Sequence, residues 1–203
     1  MPISAVVFDL GGVLIDWNPR YLFRKLFGGD EEKISWFLEN VCTEEWNNRH
    51  DLGVSYKENA ERLILKFPQY AREIRAYGER WTENLGGAIE ESVQIFEELR
   101  SSGVAVYALT NFSTEAFPLA RLRFPFLNSF DGIVMSGELG IAKPDPAIYR
   151  HLLKKFGLSA AQSIFVDDRK ENVDAARALG FLVHHYHDPK SLRDHLKELG
   201  LLE

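Results

Sequence analysis

Three apolar runs in this chain stop at a polar group able to do chemistry. The run "AVVFD" ends in Asp9, "VAVYALT" ends in Thr110 with Asn111 next, and "SIFVD" ends in Asp167 with Asp168 next. A fourth run, "GIVMS", leads through a loop to Lys143 in "AKPDPAIY". Carboxylates gathered in a partly buried site repel each other unless a cation or a lysine sits among them. Magnesium suits such a place, because it takes oxygen ligands from a few carboxylates and keeps room for water and phosphate. Each residue alone has a plainer reading: Asp9 closing a turn, Lys143 a solvated loop charge, Thr110 and the two later acids capping helices. It is the whole set, delivered at the ends of apolar runs, that points to a site.

The elements that must hold this set alternate. The β-rich runs cover residues 5–9, 104–110, 132–136, 163–167 and 181–185, and helical patterns lie between them. "AIEESVQIFEELRSSG" places Ile89, Val93, Ile95, Phe96 and Leu99 on one face and stops at Gly103. "DPAIYRHLLKKFG" opens with an aspartate cap and a first-turn proline, and "KENVDAARALG" stops at Gly180. Nearly continuous apolar strands alternating with helices predict an α/β fold, a doubly wound parallel sheet buried on both faces. Ligands of such sheets bind beyond the carboxyl ends of the strands, where the set of polar groups lies.

Residues 18 to about 85 break the alternation and read as helices with no strand. The expected organisation is an α/β core of residues 1–16 and 86–203, interrupted by a small helical cap of residues 17–85. Trp36, Trp46 and Trp81 fall in this insert and Trp17 marks its entrance; their reading is helix packing or a contact with substrate or core.

A formal net charge of -6 over 203 residues, without a long basic run, argues against a binder of duplex nucleic acid. No apolar stretch approaches the length of a membrane span, and the first residues lack a leader pattern, so the expectation is a cytoplasmic protein. The single Cys42 reads as a buried structural thiol of a reducing compartment. In "VHHYH", His184 and His185 face opposite sides of a strand, so at most His185 and His187 can converge; a strand end running into a polar loop explains the group better than a metal site does. His50, in "NNRHDLG", reads as a loop histidine, either solvated or turned to the site.

The segments "VVFDLGGVL", "YALTNFS", "AKPDPAIY" and "IFVDDRKENVDAAR" resemble, in order, the four signature motifs of the haloacid dehalogenase (HAD) superfamily. The resemblance spans residues 5 to 178 and implies the same α/β core with a mobile cap after the first motif. It is closest to the phosphatase branch, sugar-phosphate phosphatases of bacteria included. By that resemblance Asp9 is the nucleophile that forms an aspartyl-phosphate and also a magnesium ligand. Asp168 is a direct ligand, Asp167 binds directly or through water, and Gly11 lends its backbone carbonyl. Thr110, with backbone amides near Asn111, would hold the phosphoryl oxygens, Lys143 would neutralise charge between nucleophile and phosphate, and Asn172 would brace the lysine or metal loop. The implied substrate is a small phosphorylated metabolite such as a sugar phosphate, with Mg2+ as cofactor and neither nucleic acid nor membrane as partner.

One departure matters. Phosphatases of the superfamily usually carry a second aspartate two residues after the nucleophile, which protonates the leaving alcohol and activates water. Here that residue is Gly11. Asp16 is the nearest substitute along the chain. Two other readings stay open: a dehalogenase, in which Asp9 attacks carbon and Arg20 or Arg24 receives halide, and a non-catalytic module that binds a phosphometabolite.

Overall fold

The computed structural model describes residues 2–203. In chain order the elements are β1 (Ala5–Phe8), β2 (Ile15–Trp17), α1 (Arg20–Leu26), α2 (Glu31–Asn40), α3 (Glu44–Asp51), α4 (Tyr56–Ile64), α5 (Ala71–Glu79), β3 (Leu85–Ala88), α6 (Glu90–Ser101), β4 (Ala105–Thr110), α7 (Phe117–Arg123), β5 (Gly132–Met135), α8 (Ser136–Leu139), α9 (Pro146–Phe156), β6 (Ser163–Asp167), α10 (Lys170–Ala178), β7 (Leu182–His185) and α11 (Pro189–Glu198). Five strands form one sheet in the order β5-β4-β1-β6-β7. Every pairing in it is parallel. All five strands coincide with the runs read from the sequence.

Period-2 alternation sorts the strand side chains onto two faces. Val6, Phe8, Val106, Ala108, Ile164 and Val166 pack with Ile95, Phe96 and Leu99 of α6 and Leu192 and Leu196 of α11. Val7, Leu109, Val134 and Phe165 pack on the other side with Ile148, Tyr149 and Leu152 of α9 and Ala176 of α10. Burial on both sides is why these strands carry almost no polar residue before their last position. β1 is the central strand, so Asp9 just beyond it stands in the middle of the sheet's carboxyl edge.

The helices α1 to α5 bury a separate apolar cluster, with Phe23, Ile34, Phe37, Val41, Cys42, Trp46, Ile74 and Tyr77 at its centre. They do not follow β1 directly. β2 and β3 form a two-stranded antiparallel pair that frames them, Ile15 opposite Ala88 and Asp16 opposite Gly87. The sequence showed no strand here, because "IDW" and "LGGA" are too short for an alternation and the second is half glycine, a poor strand former. Both expected domain boundaries fall inside this pair. Two contacts tie the helices to the sheet unit: the Trp81 and Phe112 rings lie 5.5 Å apart, and Arg169 Nη1 donates to Glu44 Oε1 at 2.5 Å. Gly53, just past α3, approaches the core so closely that a Cβ there would fall 2.9 Å from the Gly137 carbonyl oxygen. Among the described residues no helix is long and apolar enough to cross a membrane.

Helix α9 begins as the sequence predicts: the Asp145 carboxylate accepts from the Ala147 amide and Pro146 fills the first turn. This cap also sets where the preceding Lys143 loop ends. Asp145→Ala should lower stability by about 1 kcal/mol, measured as a lower urea midpoint at unchanged slope.

Candidate active site

Asp9 leaves β1 with its amide donating to Val166 O at 2.8 Å, so the register of β1 on β6 fixes where its carboxylate starts. Lys143 reaches in from the loop before α9. Its Nζ lies 2.8 Å from Asp9 Oδ1 and 2.7 Å from Asp167 Oδ2. Lysine, Asp9 and Asp167 are 4%, 8% and 0% exposed, so this bridge is sealed from bulk water. The main chain of Lys143 is itself held: its amide donates to Asn111 Oδ1 at 2.8 Å and its carbonyl accepts from Asn111 Nδ2 at 3.0 Å. The Asn111 side chain therefore serves the lysine loop. Thr110 is buried at the end of β4, next to it.

Asp167 has no oxygen to spare. Oδ2 takes Lys143, Oδ1 takes the Arg169 amide at 2.9 Å, and Asn172 Nδ2 donates to both at 3.0 and 3.1 Å. Asn172 is steadied in turn by Tyr149, whose hydroxyl donates to its carbonyl at 3.0 Å. Asp9, Asp167 and Asp168 each offer an oxygen within 4.8 Å of the others, the one such acid, histidine or cysteine group among the described residues. Three carboxylates against one ammonium leave two negative charges unmatched when all are ionised, a deficit a divalent cation fills. Without one, burial pushes the Asp9 carboxyl up to about 7, against the pull of Lys143 and with the push of Asp167 and Asp168. Burial, then Asp167, raises Asp168 as well. Burial works against the Lys143 ammonium, but Asp167 and Asp9 outweigh it and hold its pKa above the ordinary value. The donor set, all oxygen and short of two positive charges, fits magnesium.

Gly12 permits this gathering. It has φ +75°, and a Cβ there would fall 2.4 Å from Asp168 Oδ2. Gly11 differs, since a Cβ there would meet nothing within 4 Å. The post where an acid could stand is open space.

The cluster forms the floor of a cavity of about 600 Å³ between the sheet's carboxyl edge and the helices of the insert. Its walls include Ile15, Trp17, Leu38, Cys42, Tyr56, Trp81, Leu85 and Phe112, with Asn47, Asn48 and Asp51 among them. Asp51 was not singled out in the sequence; it ends α3, and the signal available was only an acid before a glycine turn in the insert. Burial, then the charge of Asp9, pushes its carboxyl up to about 7 against Lys143. Asp16, the substitute acid suggested by proximity along the chain, does not reach the cavity. It points away from Ile15 and Trp17 across β2, accepts from the Tyr21 hydroxyl at 2.7 Å and packs on Gly86. Arg20 and Arg24 both pair with Glu31 on α2 and are absent from the cavity wall.

The tryptophans divide. Trp46 lies in the insert's own core and Trp36 is largely exposed, whereas Trp17 and Trp81 line the cavity. Cys42 is buried, as read, and burial drives its thiol far up. His184 packs inward, its Nδ1 3.0 Å from His195 Nδ1, and His185 donates from Nε2 to the Asp168 carbonyl at 2.9 Å, so the histidine run includes one brace of the acid loop. His50 is not a loop residue, solvated or otherwise. It sits inside α3, 1% exposed, with Nδ1 donating to Val54 O at 3.3 Å and Nε2 accepting from Asn59 Nδ2 at 3.2 Å.

Two measurements test these placements. Gly12→Ala should cost about 1–2 kcal/mol for the left-handed backbone alone, read by urea denaturation. His50 is held neutral by burial with a pKa near 4. Between its unfolded value and 4 the unfolded chain binds the proton and the fold does not. Stability should therefore be complete above about pH 6.5 and fall by roughly 3 kcal/mol as pH drops toward 4. The His50→Gln variant, compared with wild type at pH 7 and 4.5, should lack that part of the slope.

The sequence pattern described as haloacid dehalogenase-like hydrolase matches residues 3–180. A sesquiterpene phosphatase of Aspergillus oryzae is 33% identical over 200 residues, covering 97% of this chain and 96% of that one. The solved structure of a HAD-like hydrolase from Porphyromonas gingivalis superposes with a TM-score of 0.76 at 24% identity, over 98% of each chain. A HAD family enzyme of Bacteroides thetaiotaomicron, solved as a magnesium complex, superposes with a TM-score of 0.71 at 18% identity, over 93% of this chain and 95% of that one. The chain belongs to the haloacid dehalogenase-like hydrolases, as an enzyme of the phosphatase type.

Proposed function

We propose that the protein is a magnesium-dependent phosphatase that hydrolyses a small organic phosphate monoester through an aspartyl-phosphate on Asp9, and that the body of its substrate is largely apolar. The observation that carries the reading is the buried Lys143 between Asp9 and Asp167, with Asp168 alongside, at the floor of a cavity. Magnesium, held by Asp9, Asp168 and the Gly11 carbonyl with Asp167 directly or through water, would supply positive charge to the phosphoryl oxygens. Because four hydrogen bonds already engage the Asp167 oxygens, Asp9 and Asp168 are the freer donors of the three.

Asp9 is the nucleophile in this reading. Lys143 anchors Oδ1, which fixes the orientation of the carboxylate before attack and avoids reorganisation as charge moves to phosphorus. Thr110 and the amides near Asn111 would receive phosphoryl oxygens, while the Asn111 side chain keeps the lysine loop in place. Covalent capture splits one difficult hydrolysis into two easier steps. The helices of residues 17–85 would act as a lid whose closure excludes water. Dehalogenation is the weaker reading: it does not require the paired acids retained here, and Arg20 and Arg24 are engaged by Glu31.

The apolar part of the cavity lining favours an alkyl or prenyl body over a sugar. Ile15, Leu38, Leu85 and Phe112 offer no hydrogen bond to hydroxyl groups, and burying those without partners costs free energy. The A. oryzae relative named for a sesquiterpene substrate supports the same preference. The single cysteine supports a cytoplasmic setting.

The test is phosphate release from p-nitrophenyl phosphate, farnesyl monophosphate and glucose 1-phosphate, with and without magnesium. Wild type should require the metal, and Asp9→Asn and Asp168→Ala should each lose about 10³-fold or more. Farnesyl monophosphate should exceed glucose 1-phosphate in kcat/KM by about tenfold or more, equivalent to about 1.4 kcal/mol. Equal inactivity of wild type and Asp9→Asn on every ester sinks the phosphatase reading, and a preference for the sugar phosphate sinks the apolar substrate.

A further inference from the structure

Attack by Asp9 expels an alkoxide, and an alkoxide needs a proton that Gly11 cannot give. The cavity wall contains few groups able to supply it. Lys143 is locked between two carboxylates, Glu44 is paired with Arg169, and the Tyr77 hydroxyl donates to Asn47 Oδ1 at 2.5 Å. Burial carries the Tyr56 hydroxyl far above the neutral range, where it does not exchange protons readily. Asp9 and Asp168 belong to the nucleophile and metal set. Asp51 remains.

We propose that Asp51, delivered from the insert at the end of α3, is the general acid and base of the reaction and takes the place left vacant at Gly11. The inference rests on the phosphatase reading above. Three observations carry it. Asp51 lines the same cavity as Asp9 and Lys143. Its carboxyl has no hydrogen bond or ion pair with any described residue, in a protein whose other cavity acids are all engaged or clustered. Its position is fixed from both sides: His50 is pinned by Val54 and Asn59 just before it, and Gly53 just after it meets the Gly137 main chain of the core. The charged and titratable groups that face it are Asp9 and Lys143 from the core and Tyr56 and Tyr77 from α4 and α5. Burial there favours the protonated carboxyl, the form that an acid needs at the start of the cycle.

The two steps balance. In the first, an Asp9 oxygen bonds to phosphorus, the bond from phosphorus to the ester oxygen breaks with its electron pair on that oxygen, and the Asp51 proton moves to it, so the alcohol leaves. In the second, the Asp51 carboxylate takes a proton from water as the water oxygen bonds to phosphorus. The bond to Asp9 breaks, its electron pair returns to the carboxylate, phosphate leaves and Asp51 is protonated again.

Leaving-group dependence is the test. Nitrophenolate departs without a proton, whereas an alkoxide does not, and kcat/KM reports only events up to departure. In Asp51→Asn the ratio of kcat/KM for farnesyl monophosphate to that for p-nitrophenyl phosphate should fall about 10²-fold or more. Nitrophenolate should also appear in a burst, because hydrolysis of the aspartyl-phosphate has lost its base. Adding Gly11→Asp to that variant should restore the ratio, since the space there is open and the glycine is not left-handed. Should the amide weaken the lid packing, Asp51→Ser repeats the comparison. An equal loss on both esters marks a packing role and overturns the proposal, as does an unchanged ratio. Absence of magnesium-dependent turnover by wild type on either ester overturns the phosphatase reading itself, and Asp51 with it.

Discussion

The buried ammonium of Lys143 between Asp9 and Asp167 is the interaction on which the rest depends. Taking three charges out of water costs several kcal/mol each unless they neutralise one another and every remaining lone pair is met. This protein meets the demand unevenly. Asp167 is saturated by Lys143, Asn172 and the Arg169 amide, while Asp9 keeps one oxygen free and Asp168 remains partly open. The saturated acid anchors the bridge, and the other two keep oxygens available to a ligand. A lysine alone cannot balance all three, so the same arrangement that stabilises the fold also creates a place for a divalent cation.

The framework that makes the bridge possible is the parallel sheet. β1 lies between β4 and β6, so Asp9, Thr110 and Asp167 emerge side by side at one edge. Lys143 comes from the chain after β5, beyond β4, and Asn111 fastens its main chain to the end of β4. One asparagine thus converts a loop residue into a fixed part of the site.

The insert supplies what the sheet lacks. Its helices have their own apolar cluster, and the chain enters and leaves them through two short paired strands. Contacts at Trp81, Arg169 and Gly53 set the insert over the sheet edge. That placement gives the cavity much of its apolar lining and puts Asp51 in the same cavity as Asp9. On the mechanism proposed above, a centre divided this way would couple the chemistry to the position of the insert, because groups on both sides would have to meet around one phosphorus.

The strand runs, the helix stops at Gly103, Gly157 and Gly180, and the polar residues at the strand ends were legible in the sequence because each depends on local periodicity and on neighbours a few positions away. The family pattern was legible for the same reason. Most of what stayed hidden was non-local. β2 and β3 exist only by pairing across some 70 residues, and neither short segment has a periodicity of its own. His50 looked like a loop residue because α3 is a short helix that ends at Asp51, although its cap Thr43 and acidic first turn are local signals, and the partners Val54 and Asn59 lie only four and nine residues on. Asp16 lies closer to Asp9 along the chain than Asp51 does, seven positions away against 42; but alternation along β2 turns Asp16 outward, while the fold places Asp51 in the wall of the cavity that holds Asp9. Sequence by itself marked the strands of the sheet and picked out Asp9, Lys143 and the paired acids as one set. Tertiary structure alone decided which further acid shares their cavity, because nearness in space is not distance along the chain.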